Sequence, residues 1–393
     1  MFDRDISPFL LEAAKKMPVI AILGPRQSGK TTLAKAVFNK HKYVSLENYE
    51  ERDLASSDPK RFLQAYENDH GVIFDEIQHV PKLLSYIQTY VDQEHKPGHI
   101  VLTGSQNILL NRGISQTLAG RISLFTLLPL SIEELKKNTL LQDTVDSSAF
   151  VGGYPRIYAY DLNPTSWYSD YIDTYVEKDV RQIINVTNLA TFKRFLGICA
   201  GRTGQLINFT SLANDSSIDV RTAKQWLSVL EASYILFFLQ PHYMNFNKRL
   251  TQTPKLYFYD TGLVCALLGI ESPEQLSKYY QRGGVIETSI ISSIMKHYYN
   301  NGTRPRHVYF WRDKTGHEID CMIQKVNDLI PIEIKSGTTI TSDFFTGLSY
   351  WQNLTNDIYP KGYVIYGGST NFERAQGTLI SWKNIEDVFK KIT

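Results

Sequence analysis

Gly24-Pro25-Arg26-Gln27-Ser28-Gly29-Lys30-Thr31 follows the apolar run Val19–Leu23 and opens a helix-forming stretch, Lys30–Asn39. Strand, glycine loop and helix stand in the order that G-x-x-x-x-G-K-[ST] requires. Glycines let backbone N–H groups wrap phosphates, and the helix N-terminus adds partial positive charge. Residues Gly24 to Thr32 are therefore the expected nucleotide-binding loop, with Lys30 on the β- and γ-phosphates and Thr31 on Mg²⁺. Further along, Val72-Ile73-Phe74 ends in Asp75-Glu76. Asp75 is expected to hold Mg²⁺ through water, and Glu76 to polarise the attacking water. Together these predict hydrolysis of ATP, not binding alone.

Apolar runs at Tyr43–Leu46, His99–Thr103 and Ile122–Leu127 alternate with helix-forming stretches at Pro81–Gln93 and Ser131–Lys137. Short continuous apolar runs suit buried parallel strands, and the alternation predicts a doubly wound α/β sheet over residues 1–140. In Leu102-Thr103-Gly104-Ser105-Gln106, either Ser105 or Gln106 can orient the water or sense the γ-phosphate; an ordinary turn reads equally well. Arg121, in Leu118-Ala119-Gly120-Arg121, reads either as an arginine finger for a neighbouring subunit or as a surface arginine.

Residues 141–185 read as a connector carrying Gly152-Gly153-Tyr154-Pro155 and a linker helix, Ser166–Ile184. Residues 186–265 read as two short helices and a hairpin, a winged-helix pattern, with Asp219 capping the helix Val220–Ala232. Arg221, Thr222, Lys224 and Gln225 are the expected contacts to DNA phosphates or base edges, with Lys248 and Arg249 near the wing. Seven Lys/Arg against three Asp/Glu over residues 191–250 is a local excess of four positive charges, which a module packing against protein also tolerates.

Residues 280–393 return to α/β, with a helix Val285–Tyr299 and strands at Val308–Arg312, Glu318–Ile323, Leu329–Lys335 and Tyr363–Tyr366. Glu333 and Lys335 are two apart on a strand and share a face. Hairpin pairing can bring Asp320 beside them, and Glu287 can complete the group. Converging carboxylates suit Mg²⁺ or Mn²⁺, and a lysine beside them can activate water against a phosphodiester. The competing reading is an ion pair on an exposed hairpin.

Composition sets the limits. The 393 residues are 42% hydrophobic and 21% charged, with a net charge of +2. That excludes a disordered chain or a fibre, and leaves any nucleic-acid surface local. Three separated cysteines exclude a disulfide framework and a cysteine zinc site. No apolar run is long enough to span a bilayer, and the N-terminus lacks a signal-peptide core, so a cytoplasmic protein is the expectation.

GPRQSGKTTL, VIFDEIQ, LTGSQ, LAGR, GGYP, PKLYFYDTGL, GVIET, GHEIDCMI and PIEIKSG together resemble the prokaryotic ATP-binding family that joins an AAA-type ATPase to a DUF4143 C-terminal region. The resemblance implies an AAA+ core, a winged-helix region and a C-terminal domain of the PD-(D/E)xK restriction-endonuclease type. It carries Lys30 and Thr31, Asp75 and Glu76, Ser105, and Arg121 onto the ATPase, and Glu287, Asp320, Glu333 and Lys335 onto the nuclease-like motif. The second sensor arginine usual in AAA+ proteins has no clear counterpart. The expected function is a Mg-ATP-driven motor on DNA, homo-oligomeric with a hexameric ring as one form, with a second Mg²⁺ or Mn²⁺ in the C-terminal domain. The alternative is a slow ATP-dependent conformational switch that processes no DNA.

Overall fold

The computed structural model describes residues 1–94, 96–105, 117–176, 188–242 and 253–392. Five strands, β1 (Val19–Gly24), β2 (Lys42–Ser45), β3 (Val72–Asp75), β4 (Ile100–Ser105) and β5 (Ile122–Thr126), form an all-parallel sheet in the order β2-β3-β4-β1-β5. β1 is buried along its length. Val19, Ala21 and Leu23 enter one hydrophobic cluster, and Ile20 and Ile22 another on the opposite face. A strand covered on both sides has no use for polar alternation, which is why these runs are continuously apolar. The nucleotide loop therefore leaves an interior strand, β1 between β4 and β5, at the carboxyl ends of the strands, where such sheets bind ligands.

Helix α1 (Lys30–Val37) follows the loop, and α2 (Ile132–Lys137) opens with a capping box between Ser131 and Glu134. Beyond them, Pro155–Ala159 forms a short helix with proline in its first turn. The helix expected over Ser166–Ile184 is α-helical at Pro164–Tyr171 and turns π-helical over Ile172–Val176. Its remainder lies outside the described residues.

Helices α3 (Leu189–Ala200), α4 (Phe209–Ser216) and α5 (Val220–Ala232) pack beside a small antiparallel sheet of β6 (Gln205–Leu206), β7 (Leu236–Leu239) and β8 (Lys255–Phe258), in the order β6-β8-β7. The Asp219 carboxylate accepts from the Thr222 N–H, as its position as a helix cap predicts.

Helix α6 (Arg282–Asn300) leads into a mixed sheet of β9 (Val308–Arg312), β10 (Glu318–Lys325), β11 (Asp328–Lys335), β12 (Gly362–Tyr366), β13 (Phe372–Arg374) and β14 (Gly377–Ser381). Cys321 faces Ile332 in the β10–β11 hairpin, so Asp320 adjoins Glu333. Pro241 bridges to Phe310, joining the end of β7 to β9. No described helix is long and apolar enough to cross a membrane.

Candidate nucleotide site and a second polar cluster

The loop that begins at Gly24 turns through two left-handed residues, Gln27 (φ 63°) and Gly29 (φ 93°). A side chain at Gly24 would have its Cβ 2.1 Å from the Leu127 carbonyl oxygen, so only glycine fits there. Lys30 is buried and donates to the Gly24 and Pro25 carbonyls at 3.1 and 2.8 Å. Its ammonium thus folds over the loop whose N–H groups a phosphate would use.

Asp75 is the meeting point of three hydroxyls. Thr31 Oγ1 donates to its Oδ1 at 2.8 Å, Tyr43 donates to its Oδ2 at 2.8 Å, and Thr103 also donates to Oδ1. Burial, together with the Asp75 carboxylate, pushes the Tyr43 phenol up to about 12, so it stays a donor. The two expected Mg²⁺ residues, from loop and strand end, are in direct contact.

Glu76 adopts left-handed backbone (φ 60°, ψ 49°), a strained conformation that functional sites favour in non-glycine residues. It turns the carboxylate toward Ser105 Oγ, 3.4 Å away, and Gln78 donates to it. Burial raises its pKa, but the Lys30 ammonium, the Gln78 amide and Arg26 outweigh that, holding the carboxyl below its ordinary value. Glu76 is thus an ionised acceptor at neutral pH. Gln106 lies outside the described residues.

A cavity of about 700 Å³ opens over the loop. Arg26, Gln27, Lys30, Thr31, Asp75 and Glu76 form one side, and Pro155, Arg156, Tyr158 and Tyr160 the other. This second side was missed by sequence reasoning, which took GGYP for a connector. The glycine pair was its signal. A Cβ at Gly152 would strike the Tyr168 hydroxyl (2.2 Å), and one at Gly153 the Leu130 carbonyl (2.4 Å). Asp260 Oδ2 accepts from Gly153 N at 2.7 Å, and Gly153 O accepts from Leu130 N at 2.7 Å. The pair threads this narrow gap and sets Pro155 above Gly29. The cavity's volume, its four basic side chains (Arg4, Arg26, Lys30 and Arg156) and the Thr31–Asp75 pair fit a nucleoside triphosphate with Mg²⁺.

Arg4, which also lines the cavity, braces the loop. Its guanidinium donates to Glu134 Oε1 (2.8 Å), Ser28 O (3.0 Å) and Leu128 O (2.7 Å). Arg121 does not line the cavity; it pairs with Asp92 at 2.5 and 2.9 Å on the same chain.

On α5, Arg221, Lys224 and Gln225 are exposed, while Trp226, Leu227 and Leu230 are buried. Thr222 is engaged at the cap, donating its hydroxyl to Asp219, and Lys224 lies over the Phe209 ring. Lys248 and Arg249 fall outside the described residues.

The four C-terminal residues do come together, with company that the sequence did not suggest. Lys335 donates to Glu333 at 2.9 Å, and Ile334 N donates to Asp320 Oδ2 at 2.8 Å. Glu287 accepts from Lys255 at 3.0 Å and from the Tyr257 hydroxyl at 2.5 Å; Lys255 also pairs with Glu318. Among the described residues, no group of three or more His, Cys, Asp or Glu is arranged to hold a metal ion. The expected second Mg²⁺ or Mn²⁺ is therefore not supported; the carboxylates pair with Lys255 and Lys335 instead.

Helix α6 ties this cluster to the nucleotide side. Ser293 Oγ accepts from Ile132 N at 3.0 Å, and Lys296 Nζ donates to Leu130 O at 3.2 Å. Burial lowers the Lys296 pKa to about 8 from 10.5, against Asp260 and Glu134, which favour its charge. Between those values the unfolded chain holds a proton that the folded chain lacks, so the Lys296 contribution to stability climbs as pH rises from 8 to 10.5. Thermal melts at about pH 7.5, below that window, and at about pH 10, inside it, are expected to show this gain in the wild type and its loss in Lys296→Met.

A glycine loop at the carboxyl end of a parallel sheet, with a threonine–aspartate pair and a glutamate beside it, has the form of a P-loop nucleotide site. Residues 16–136 match the family model described as an AAA domain, and residues 282–385 match a domain of unknown function, DUF4143. The chain thus joins an AAA domain to a DUF4143 C-terminal region, as the motifs implied. Residues 142–274 match another domain of unknown function, DUF8612. An uncharacterized protein of Mycobacterium tuberculosis is 28% identical over 340 residues, covering 86% of this chain and 74% of that one. An uncharacterized protein of Methanocaldococcus jannaschii is 24% identical, covering 64% and 65%. Among solved structures, the Walker-type ATPase of Pyrococcus abyssi is 17% identical with a TM-score of 0.45, covering 68% of this chain and 96% of that one.

Proposed function

We propose that the chain is a Mg-ATP hydrolase that works on DNA. The observation that carries the ATPase reading is the Thr31–Asp75 hydrogen bond at the mouth of a cavity that Lys30 and Glu76 also line. When bound, Mg²⁺ neutralises charge on the β- and γ-phosphate oxygens. Thr31 and Asp75 would hold it. Lys30 leaves the Gly24 and Pro25 carbonyls for the phosphates. Glu76, ionised, accepts a proton from the attacking water, with Ser105 orienting that water. Losing the Lys30 ammonium removes a charge-assisted contact of about 1.5–3 kcal/mol, so Lys30→Ala is expected to weaken ATP binding about 10- to 100-fold. A fluorescent-nucleotide titration reads it.

The DNA reading is supported by the exposed Arg221, Lys224 and Gln225 on α5 and the positive excess around them. As a motor, the chain would assemble with copies of itself, with Arg121 released from Asp92 to reach a neighbour's γ-phosphate. ATP turnover with single-stranded, duplex and branched DNA, with Lys30→Ala as the blank, tests this. Stimulation that Arg221→Ala/Lys224→Ala removes is expected. Slow turnover that no DNA form raises would instead favour an ATP-dependent switch.

A further inference from the structure

Lys255 lies on β8 of the three-stranded sheet, yet its side chain ends among carboxylates of α6 and the six-stranded sheet. It is 3% exposed. Its ammonium is 3.0 Å from Glu287 Oε1 and pairs with Glu318 Oε1. Tyr257, two residues on and on the same strand face, donates to the same Glu287 oxygen. Beside them Asp320 is bonded through Oδ2 to Ile334 N, and Glu333, 4% exposed, has Oε2 on Lys335 but, among the described residues, no partner for Oε1. A buried, unpartnered carboxylate oxygen beside a carboxylate pair is unused ligand capacity. Buried carboxylates at this density need a cation, because a lone buried charge is very costly. Here the cation is covalently part of the chain.

We propose that Lys255 is the built-in cation of this cluster: its ammonium stands where Glu287 and Glu318 would otherwise help hold a divalent metal, and its removal opens a divalent-cation site. The three-stranded sheet thereby plugs the C-terminal carboxylates. A metal would have to displace an ammonium held by two carboxylates, and Mg²⁺ or Mn²⁺ needs oxygen ligands closing tightly around it.

Nucleotide-free full-length protein tests this without involving the ATP site. Mn²⁺ is titrated while the electron paramagnetic resonance signal of free Mn²⁺ is followed, up to about 1 mM, the weak end of oxygen-ligated sites. Wild type is expected to bind no Mn²⁺ that Asp320→Asn removes. Lys255→Met is expected to bind one equivalent, lost in Lys255→Met/Asp320→Asn, and Mn²⁺ should raise the melting temperature of that single variant alone. Asp320-dependent Mn²⁺ binding by the wild type would overturn the proposal, as would a folded Lys255→Met that binds none. If Lys255→Met unfolds without metal, circular dichroism decides: recovery of the fold by Mn²⁺ supports the substitution of metal for lysine, and no recovery overturns it.

Discussion

Glu76→Gln is expected to lower ATP turnover by about two to four orders of magnitude, the range that a positioned general base supplies. The amide keeps the shape of the carboxylate but cannot take a proton from water. ATP affinity should stay within a few-fold of wild type, because Lys30, Thr31 and the backbone of the loop remain. Glu76 accepts a donor from Gln78 and neighbours Ser105, so the variant has room and partners. Steady-state phosphate release, paired with a binding titration, separates the two effects. Wild-type turnover in Glu76→Gln would remove the assignment.

The second large effect concerns stability. Arg4→Ala is expected to cost about 3–5 kcal/mol, because it leaves Glu134, which is fully buried, without its cation. It also takes donors from the Ser28 and Leu128 carbonyls, so the loop loosens where a phosphate would sit. Denaturant midpoints with and without ATP are the measurement. Replacing both partners, as in Arg4→Met/Glu134→Leu, should recover much of the stability but not the nucleotide affinity, since no donor returns to Ser28.

Much of the ATPase half was legible because its chemistry is local. Gly24 to Thr31 lie within one turn of chain, and Asp75 and Glu76 end one strand. The apolar strands carried their own signal. What escaped was assembled by packing across long separations. Arg4 sits in an amphipathic segment that reads as surface, and its partner Glu134 is 130 residues away. Pro155 to Tyr160 cover the loop only because Gly152 and Gly153 slip between Leu130 and Asp260. Nothing in the sequence around Lys255 points to Glu287, 32 residues away, until β8 packs beside α6. In the C-terminal cluster Asp320, Glu333 and Lys335 were legible from alternation on paired strands; Lys255 was not, since it comes from another sheet. The short strands β6 and β13 lie below the length at which apolar patterning distinguishes a strand from a turn.

Helix α6 has 19 residues and so runs about 28 Å, with Glu287 and Lys296 about 14 Å apart along it. A helix bends only gently, so this spacing behaves as a ruler. Toward one end Ser293 and Lys296 bond to Ile132 and Leu130, which in turn holds Gly153, and toward the other Glu287 bonds to Lys255. The two sites can tilt against each other but cannot draw together. Any strain passed from one to the other arrives as torque, and a pair of spectroscopic labels on α6 would keep its distance while labels off the helix swing.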